Sequence, residues 1–128
     1  MWCLDHRIVS AIAGGLLSGK HRPGEATEGT RFTLGTAGER YQDRYWHDRE
    51  FDTVDALKQL AEQAGMPLVT MAVAWCLAQP AVTSPIIGAS RPDQLKASIA
   101  ALDVTLDADL YGRIDELTSG YRASAELR

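Results

Sequence analysis

Two glycine turns carry the residues best suited to chemistry. Ala13 to His21 reads AGGLLSGKH, with Gly14, Gly19 and Lys20 in the spacing of a nucleotide-triphosphate loop, G-x-x-x-x-G-K-[ST]. Such a loop needs a Ser or Thr after the lysine to hold magnesium, and a helix whose N-terminus faces the phosphates. Here His21 takes the hydroxyl position, and RPGEATEG beyond it cannot start a regular helix. The nucleotide-hydrolase reading fails both requirements. The turn still suits a phosphate, because Gly14 and Gly15 admit close backbone approach and Lys20 brings a compact charge. On these residues alone, a phosphate contact and a plain glycine turn with a solvated lysine both stay open.

The second turn is PIIGASRPDQL, Pro85 to Leu95. A short apolar run enters Gly88, and Ser90 is expected to open a helix with Asp93 three residues on, in the spacing of a capping box. Backbone N–H groups at that helix start, the Ser90 hydroxyl and the Arg91 guanidinium would suit a phosphate monoester. A cap with an exposed arginine is the plainer reading, and the two are compatible.

These turns need elements to hold them. Ile8 to Ala13, IVSAIA, reads as a buried strand running into Gly14-Gly15. His21 to Phe51 is interrupted by Pro23, Gly24, Gly29, Gly35 and Gly38 and reads as one long loop, of a length that is usually functional or disordered. Helical spacing begins near Asp52, with Val54, Leu57, Leu60, Ala61 and Ala64 on one stripe and Gly65 as the stop. A second helix lies between Pro67 and Pro80, its stripe formed by Leu68, Met71, Trp75 and Ala72. Val82 to Ser90 gives another strand, followed by a helix over 91–101. A last helix over 107–118 carries Leu110, Ile114 and Leu117. Strands alternating with helices indicate parallel βα units. Two strands are too few for a covered parallel sheet, so the chain reads as part of something larger. Both glycine turns follow strand ends, the face where ligands bind in βα barrels. Cationic turns on one face suit a ligand with separated phosphates, such as a dinucleotide with a 2′-phosphate.

The chain has 128 residues, 45% hydrophobic and 23% charged, which fits one folded domain and not a disordered segment. Its net charge of −4 and lack of a dense Lys/Arg cluster argue against a nucleic-acid partner. The apolar run Ile8–Leu17 is too short to span a bilayer, and Asp5 and His6 break up any secretory signal. Cys3 and Cys76 lie in no metal-ligand spacing; a buried Cys76 and reduced thiols fit better than a disulfide. No metal site and a cytoplasmic location are the expectations.

AIAGGLLSGKHRPGE, EGTRF, DRYW, VDALKQLAEQAG, AVAWCLAQPAVTSPIIGASRPDQL and IAALDVTLDADL closely resemble the C-terminal part of aldo-keto reductases. The nearest branch holds bacterial oxidoreductases and potassium-channel β subunits, and the likeness runs from about Ser10 onward. It implies an α/β fold, a TIM (β/α)8 barrel that binds NADP(H) and reduces aldehydes and ketones. Such a barrel takes about 250 residues. This chain would therefore be its last two βα units and C-terminal helix, a fragment incomplete in isolation. By the resemblance, Ile12, Ala13 and Gly14 line the dinucleotide, Lys20 contacts its phosphates and Arg31 reaches back over it. Gly88, Ser90, Arg91 and Gln94 match positions that hold the adenosine 2′-phosphate and adenine.

The departures from the family pattern matter as much. Val9-Ser10-Ala11-Ile12 stands where the family has an aromatic and then Ser-Pro-Leu, so the ring that stacks on nicotinamide is missing. Ala97-Ser98 replaces a Glu-Asn pair near the adenine, leaving Ser98 as a shortened partner. The catalytic Asp, Tyr, Lys and His of the family have no counterpart in this sequence. His6, His21, His47, Tyr41 and Tyr45 match no catalytic position and receive no role. Little acid-assisted hydride transfer is expected without a proton donor beside the carbonyl. The expectation is a truncated, NADP(H)-binding reductase portion. The alternatives are a non-catalytic regulatory module and one chain of a split barrel that associates with a chain supplying the rest.

Overall fold

A computed structural model describes residues 7–9, 11–25 and 28–125, with backbone alone at 7–9 and 122–125. The most apolar stretch, Leu68–Leu77, forms helix α3, and the other elements are layered around it. Leu68, Thr70, Met71, Val73, Ala74 and Cys76 are all buried. The expected stripe is therefore too narrow, since Trp75 and Ala72 are only half-buried and burial runs round most of the helix. A helix covered on several sides has no need of a single apolar face. Thr70, the buried polar residue in it, donates its hydroxyl to the Ala97 carbonyl at 2.7 Å. That carbonyl lies in the last turn of α4 (Pro92–Ile99), where helices run out of internal donors. Burial pushes the Cys76 thiol pKa up, consistent with a packing residue.

Strands β1 (Arg7–Val9) and β2 (Ser84–Ile86) pair in parallel, Arg7 opposite Ser84, Ile8 opposite Pro85 and Val9 opposite Ile86. Both are shorter than expected. Ser10 lies outside the described residues, and a 3₁₀ helix already occupies Ala13–Ser18, so the strand does not reach Ala13. The expected strand Val82–Ser90 shrinks to three residues with Pro85 at its centre, which removes a ladder donor.

The stretch 21–51 is no continuous loop. It holds a 3₁₀ turn at Arg31–Thr33, helix α1 (Gly35–Tyr45) and the start of α2 (Asp48–Gln63). Glycine serves packing there. Gly38 is buried, and a Cβ on it would lie 2.8 Å from the Phe32 carbonyl oxygen. The bare backbone lets α1 settle on the 3₁₀ turn, and Gln42 Nε2 donates to the same carbonyl at 2.7 Å. Helix α2 starts before Asp52, with Asp48 and Glu50 in its first turn complementing the helix dipole. Phe51, Val54, Leu57, Leu60 and Ala61 are buried, whereas Ala64 is the exposed C-cap. Gly65 then turns the chain out at φ +71°.

Beyond α4 a 3₁₀ turn, Ala100–Asp103, leads to α5 (Ala108–Ala125), which outruns the expected 107–118. Ile114 is buried, Leu110 half-buried and Leu117 exposed at 38%. Trp75 Nε1 donates to Asp115 Oδ1 at 3.2 Å and ties α5 to α3. The main core joins Leu16, Phe32, Met71 and Ile114 to the buried face of α2. Each such side chain contributes about 1.5–3 kcal/mol by leaving water. No single described helix is long and apolar enough to cross a membrane.

Two glycine-to-alanine changes should act in opposite directions. Gly38→Ala should destabilise by about 1–3 kcal/mol, because the backbone it meets cannot move aside. Gly112→Ala, in open space on α5, should stabilise by about 0.5–1 kcal/mol. Urea unfolding of both variants checks the pair.

Candidate functional site

Ile12 packs against a small cluster of Val73, Ala74 and Ala101, while Leu16 sits in the main core. The chain must reverse between these two anchors. Ala13, Gly14 and Gly15 do so with φ of 50°, 69° and 110°, all in the left-handed region. The N–H groups of Gly15 and Leu17 converge on the Ile12 carbonyl at 2.9 and 3.2 Å, and Ser18 Oγ donates to the Gly15 carbonyl at 2.6 Å. The two glycines differ in surroundings. A Cβ on Gly15 would meet nothing within 4 Å, whereas one on Gly14 would lie 2.8 Å from Tyr41 Cδ1. Gly19, at φ +73°, closes the 3₁₀ helix, and the Lys58 stem approaches to 3.7 Å of where its Cβ would be.

Lys20 follows, exposed and without an ion pair among the described residues. His21 turns inward and is buried. Its ring meets Phe32 edge-on at 4.9 Å and Trp46 at 5.5 Å. Neither ring nitrogen has a hydrogen-bond partner among the described residues. Burial first, and the neighbouring Lys20 charge second, hold the His21 pKa below its ordinary value. His21 thus fixes the backbone under Lys20. No helix follows, only an isolated bridge between Arg22 and Glu25, so the geometry of a nucleotide-triphosphate loop is not formed.

At the second turn the capping box does not form. Pro92 occupies the first helical position and holds Arg91 extended, at φ −142° and ψ 148°, as the N-cap. This moves the cap one residue past Ser90. Ser90 N–H and Oγ both donate to Gln94 Oε1, at 2.9 and 3.2 Å. Asp93 accepts from Arg91 Nε at 3.2 Å in an exposed ion pair. Such a pair is worth about 1 kcal/mol at most, so it leaves Arg91 open to a stronger anion. Gly88 is exposed at the turn, and Ser98 is buried one helical turn beyond Gln94.

The two turns leave the same end of the parallel pair, and Arg31 joins them. Its Nη1 donates to the Tyr41 hydroxyl at 3.2 Å, with Cζ 5.9 Å from that ring's centroid. Its Nη2 lies 3.7 Å from where a Cβ on Gly88 would sit. Gly14, Arg31 and Gly88 are thereby assembled through Tyr41. Ser90, Arg91 and Gln94 form their own group at the start of α4, and Lys20 stands at the far end of the first turn. Sequence reasoning passed over Tyr41 and Lys58. Tyr41 is findable once α1 is seen as a helix, because Tyr45 then stacks one turn away at 6.4 Å. The open face of Gly15, with Lys20 and Arg31 in no ion pair among the described residues, fits an anionic dinucleotide, which needs close backbone approach and local positive charge.

A sequence model of the Aldo/keto reductase family matches residues 8–119. A probable voltage-gated potassium channel subunit beta of Arabidopsis thaliana is 36% identical over 98 residues, which cover 74% of this chain and 29% of that protein. L-glyceraldehyde 3-phosphate reductase of Escherichia coli O157:H7 is 28% identical over 106 residues, covering 82% and 31%. Protein tas of Escherichia coli K12 is 31% identical over 112 residues, covering 88% and 31%. The chain spans under a third of the length of each of these relatives.

The buried imidazole makes folding sensitive to acid. With its folded pKa depressed, His21 binds a proton in the unfolded chain before the folded one, so stability is full above about pH 6.5 and falls as pH drops below it. Urea midpoints measured from pH 7.5 to 5 should decline. The decline should be shallower in His21→Phe, which retains the edge-on ring contacts.

Proposed function

The chain belongs to the aldo/keto reductase family, and on that premise we propose that it supplies the NADP(H)-binding βα units at the C-terminal end of a (β/α)8 barrel. The observation that carries this reading is Arg31, in the 3₁₀ turn Arg31–Thr33, linked through Tyr41 to Gly14 and reaching Gly88, between loops that leave the same end of a parallel pair. Ile12, Ala13 and Gly14 would line the dinucleotide, with Lys20 and Arg31 on its phosphates. Ser90, Arg91 and Gln94 would take the adenosine end, Arg91 exchanging Asp93 for the 2′-phosphate. Ser98 would have to act from a buried position.

When bound, NADPH supplies a hydride to an aldehyde or ketone. This chain's own part is to bind and orient. Glycine removes the side chains that would hold the pyrophosphate away, and the cations offset its charge without a wide positive field. A proton donor beside the carbonyl would come from the early strands of the barrel. The 128-residue chain by itself is therefore proposed to be catalytically incompetent.

The open sheet supports a larger barrel. Ile86 and Ile87 are 48% and 37% exposed, and Leu102 reaches 72%. These are surfaces for further strands and helices to cover, carried on the same polypeptide or on a separate one. A second reading, a regulatory NADP(H)-binding module, is favoured by the likeness to a protein named as a potassium channel β subunit.

Titrating NADPH into the purified chain while following its fluorescence tests the reading. Saturable binding in the micromolar range is expected, with NADH weaker by about tenfold for want of the 2′-phosphate contacts. No saturable binding would refute it. Coenzyme oxidation with a panel of aldehydes should stay at the buffer rate, and robust turnover would overturn the proposed incompetence.

A further inference from the structure

We propose that Tyr41 is a positioning residue for the coenzyme, setting Arg31 across the gap between the two glycine turns before any ligand arrives. The inference rests on the NADP(H) reading above and assigns a residue that the family resemblance leaves without a role. Tyr41 is half-buried on α1 and meets both sides of the site. On one side its ring lies against Gly14, so closely that a Cβ there would fall 2.8 and 2.9 Å from Cδ1 and Cε1. On the other, its hydroxyl accepts from Arg31 Nη1 at 3.2 Å. Phe32 meets the ring edge-on at 6.1 Å and Tyr45 stacks beside it at 6.4 Å, so the phenol is itself fixed.

Arg31 needs such a guide. It is exposed, and the Tyr41 hydroxyl is its hydrogen-bond partner among the described residues. An unguided arginine samples many rotamers, and freezing one on binding weakens affinity. Held by Tyr41, the guanidinium already lies with Nη2 toward Gly88. One hydrogen bond to the phenol leaves its other N–H groups for an anion. The same ring also stands over Gly14, so the shape of the first turn and the direction of the cation are set by one side chain.

Tyr41→Phe separates this role from packing, because it keeps the ring against Gly14, Phe32 and Tyr45 and removes only the acceptor. NADPH affinity of the wild-type chain, Tyr41→Phe, Arg31→Ala and the double variant should be compared by fluorescence titration. Tyr41→Phe should weaken binding about three- to tenfold, the worth of one hydrogen bond. Arg31→Ala should weaken it more, and the double variant should match Arg31→Ala alone, since Tyr41 acts through Arg31. A second readout needs no coenzyme: ¹⁵N relaxation of the Arg31 Nε–H should report an ordered group in the wild type and a mobile one in Tyr41→Phe. Unchanged relaxation, unchanged affinity or fully additive effects overturn the proposal while NADPH binding by the wild type stands. Absence of wild-type binding overturns it together with the reading on which it rests.

Discussion

Ile12 and Leu16 stand four residues apart and are held in different hydrophobic clusters. Everything at the site depends on that pair of anchors. The intervening backbone cannot continue as a strand, because one anchor faces Val73 and Ala74 and the other faces the α2 side of the core. Three successive left-handed residues solve the problem, and two of them are glycine. Ala13, at φ 50°, carries strain that glycine would not. Burial of Leu16 alone contributes about 1.5–3 kcal/mol, enough to hold one such residue. Hydrophobic packing beneath the turn thus dictates the bare backbone above it.

A second constraint fixes what lies over the turn. His21, Phe32, Trp46 and Phe51 form a chain of angled ring contacts at 4.9 to 5.5 Å, from the residue after Lys20 to the first turn of α2. Edge-on pairs add about 0.5–1.5 kcal/mol beyond the area they bury. The price is a histidine whose two nitrogens have no partner among the described residues. The ladder also explains where α1 sits. Phe32 is buried, its carbonyl takes Gln42 from above, and Gly38 lets the helix descend onto it. Tyr41, one turn along from Gly38, is carried by that descent onto Gly14.

Helices with one apolar face were legible in the sequence. The stripe of α2 and the apolar end of α5 were read from spacing because they meet a single core. Burial around α3 exceeds what its sequence suggests, since a helix packed by α2, α4, a strand and two 3₁₀ turns has no periodic signal to offer. Helix α1 hides among glycines that read as breakers. Gly35 lies at its start at φ 49°, but Gly38 serves a contact with Phe32, which only the fold supplies. The shifted cap at α4 was legible in principle: Pro92 forbids Arg91 a helical conformation, and that rule outweighs the Ser90–Asp93 spacing. Of the site, the resemblance supplied the residue names and the fold supplied their grouping. Tyr41 becomes visible only once α1 is read as a helix, because its partners Gly14 and Arg31 lie on other elements.

The electrostatics of the chain follow the same local logic. A net charge of −4 gives no long-range attraction for an anion, and screening confines any field to about 8–10 Å. Under the proposed reading, a phosphate would have to be recognised by groups at contact distance. Placement accordingly matters more than number. The backbone at Lys20 is fixed through its buried neighbour His21, and the Arg31 side chain is held by Tyr41. The Lys58 stem is brought from α2 to the end of the same 3₁₀ helix. Arg91 is held extended by Pro92, with the exposed Asp93 carboxylate to compete for it. In each case an uncharged constraint, a ring, a proline or a helix register, decides where the charge stands. A chain with a negative balance can present a cationic edge only if its packing is firm enough to keep those few side chains in place.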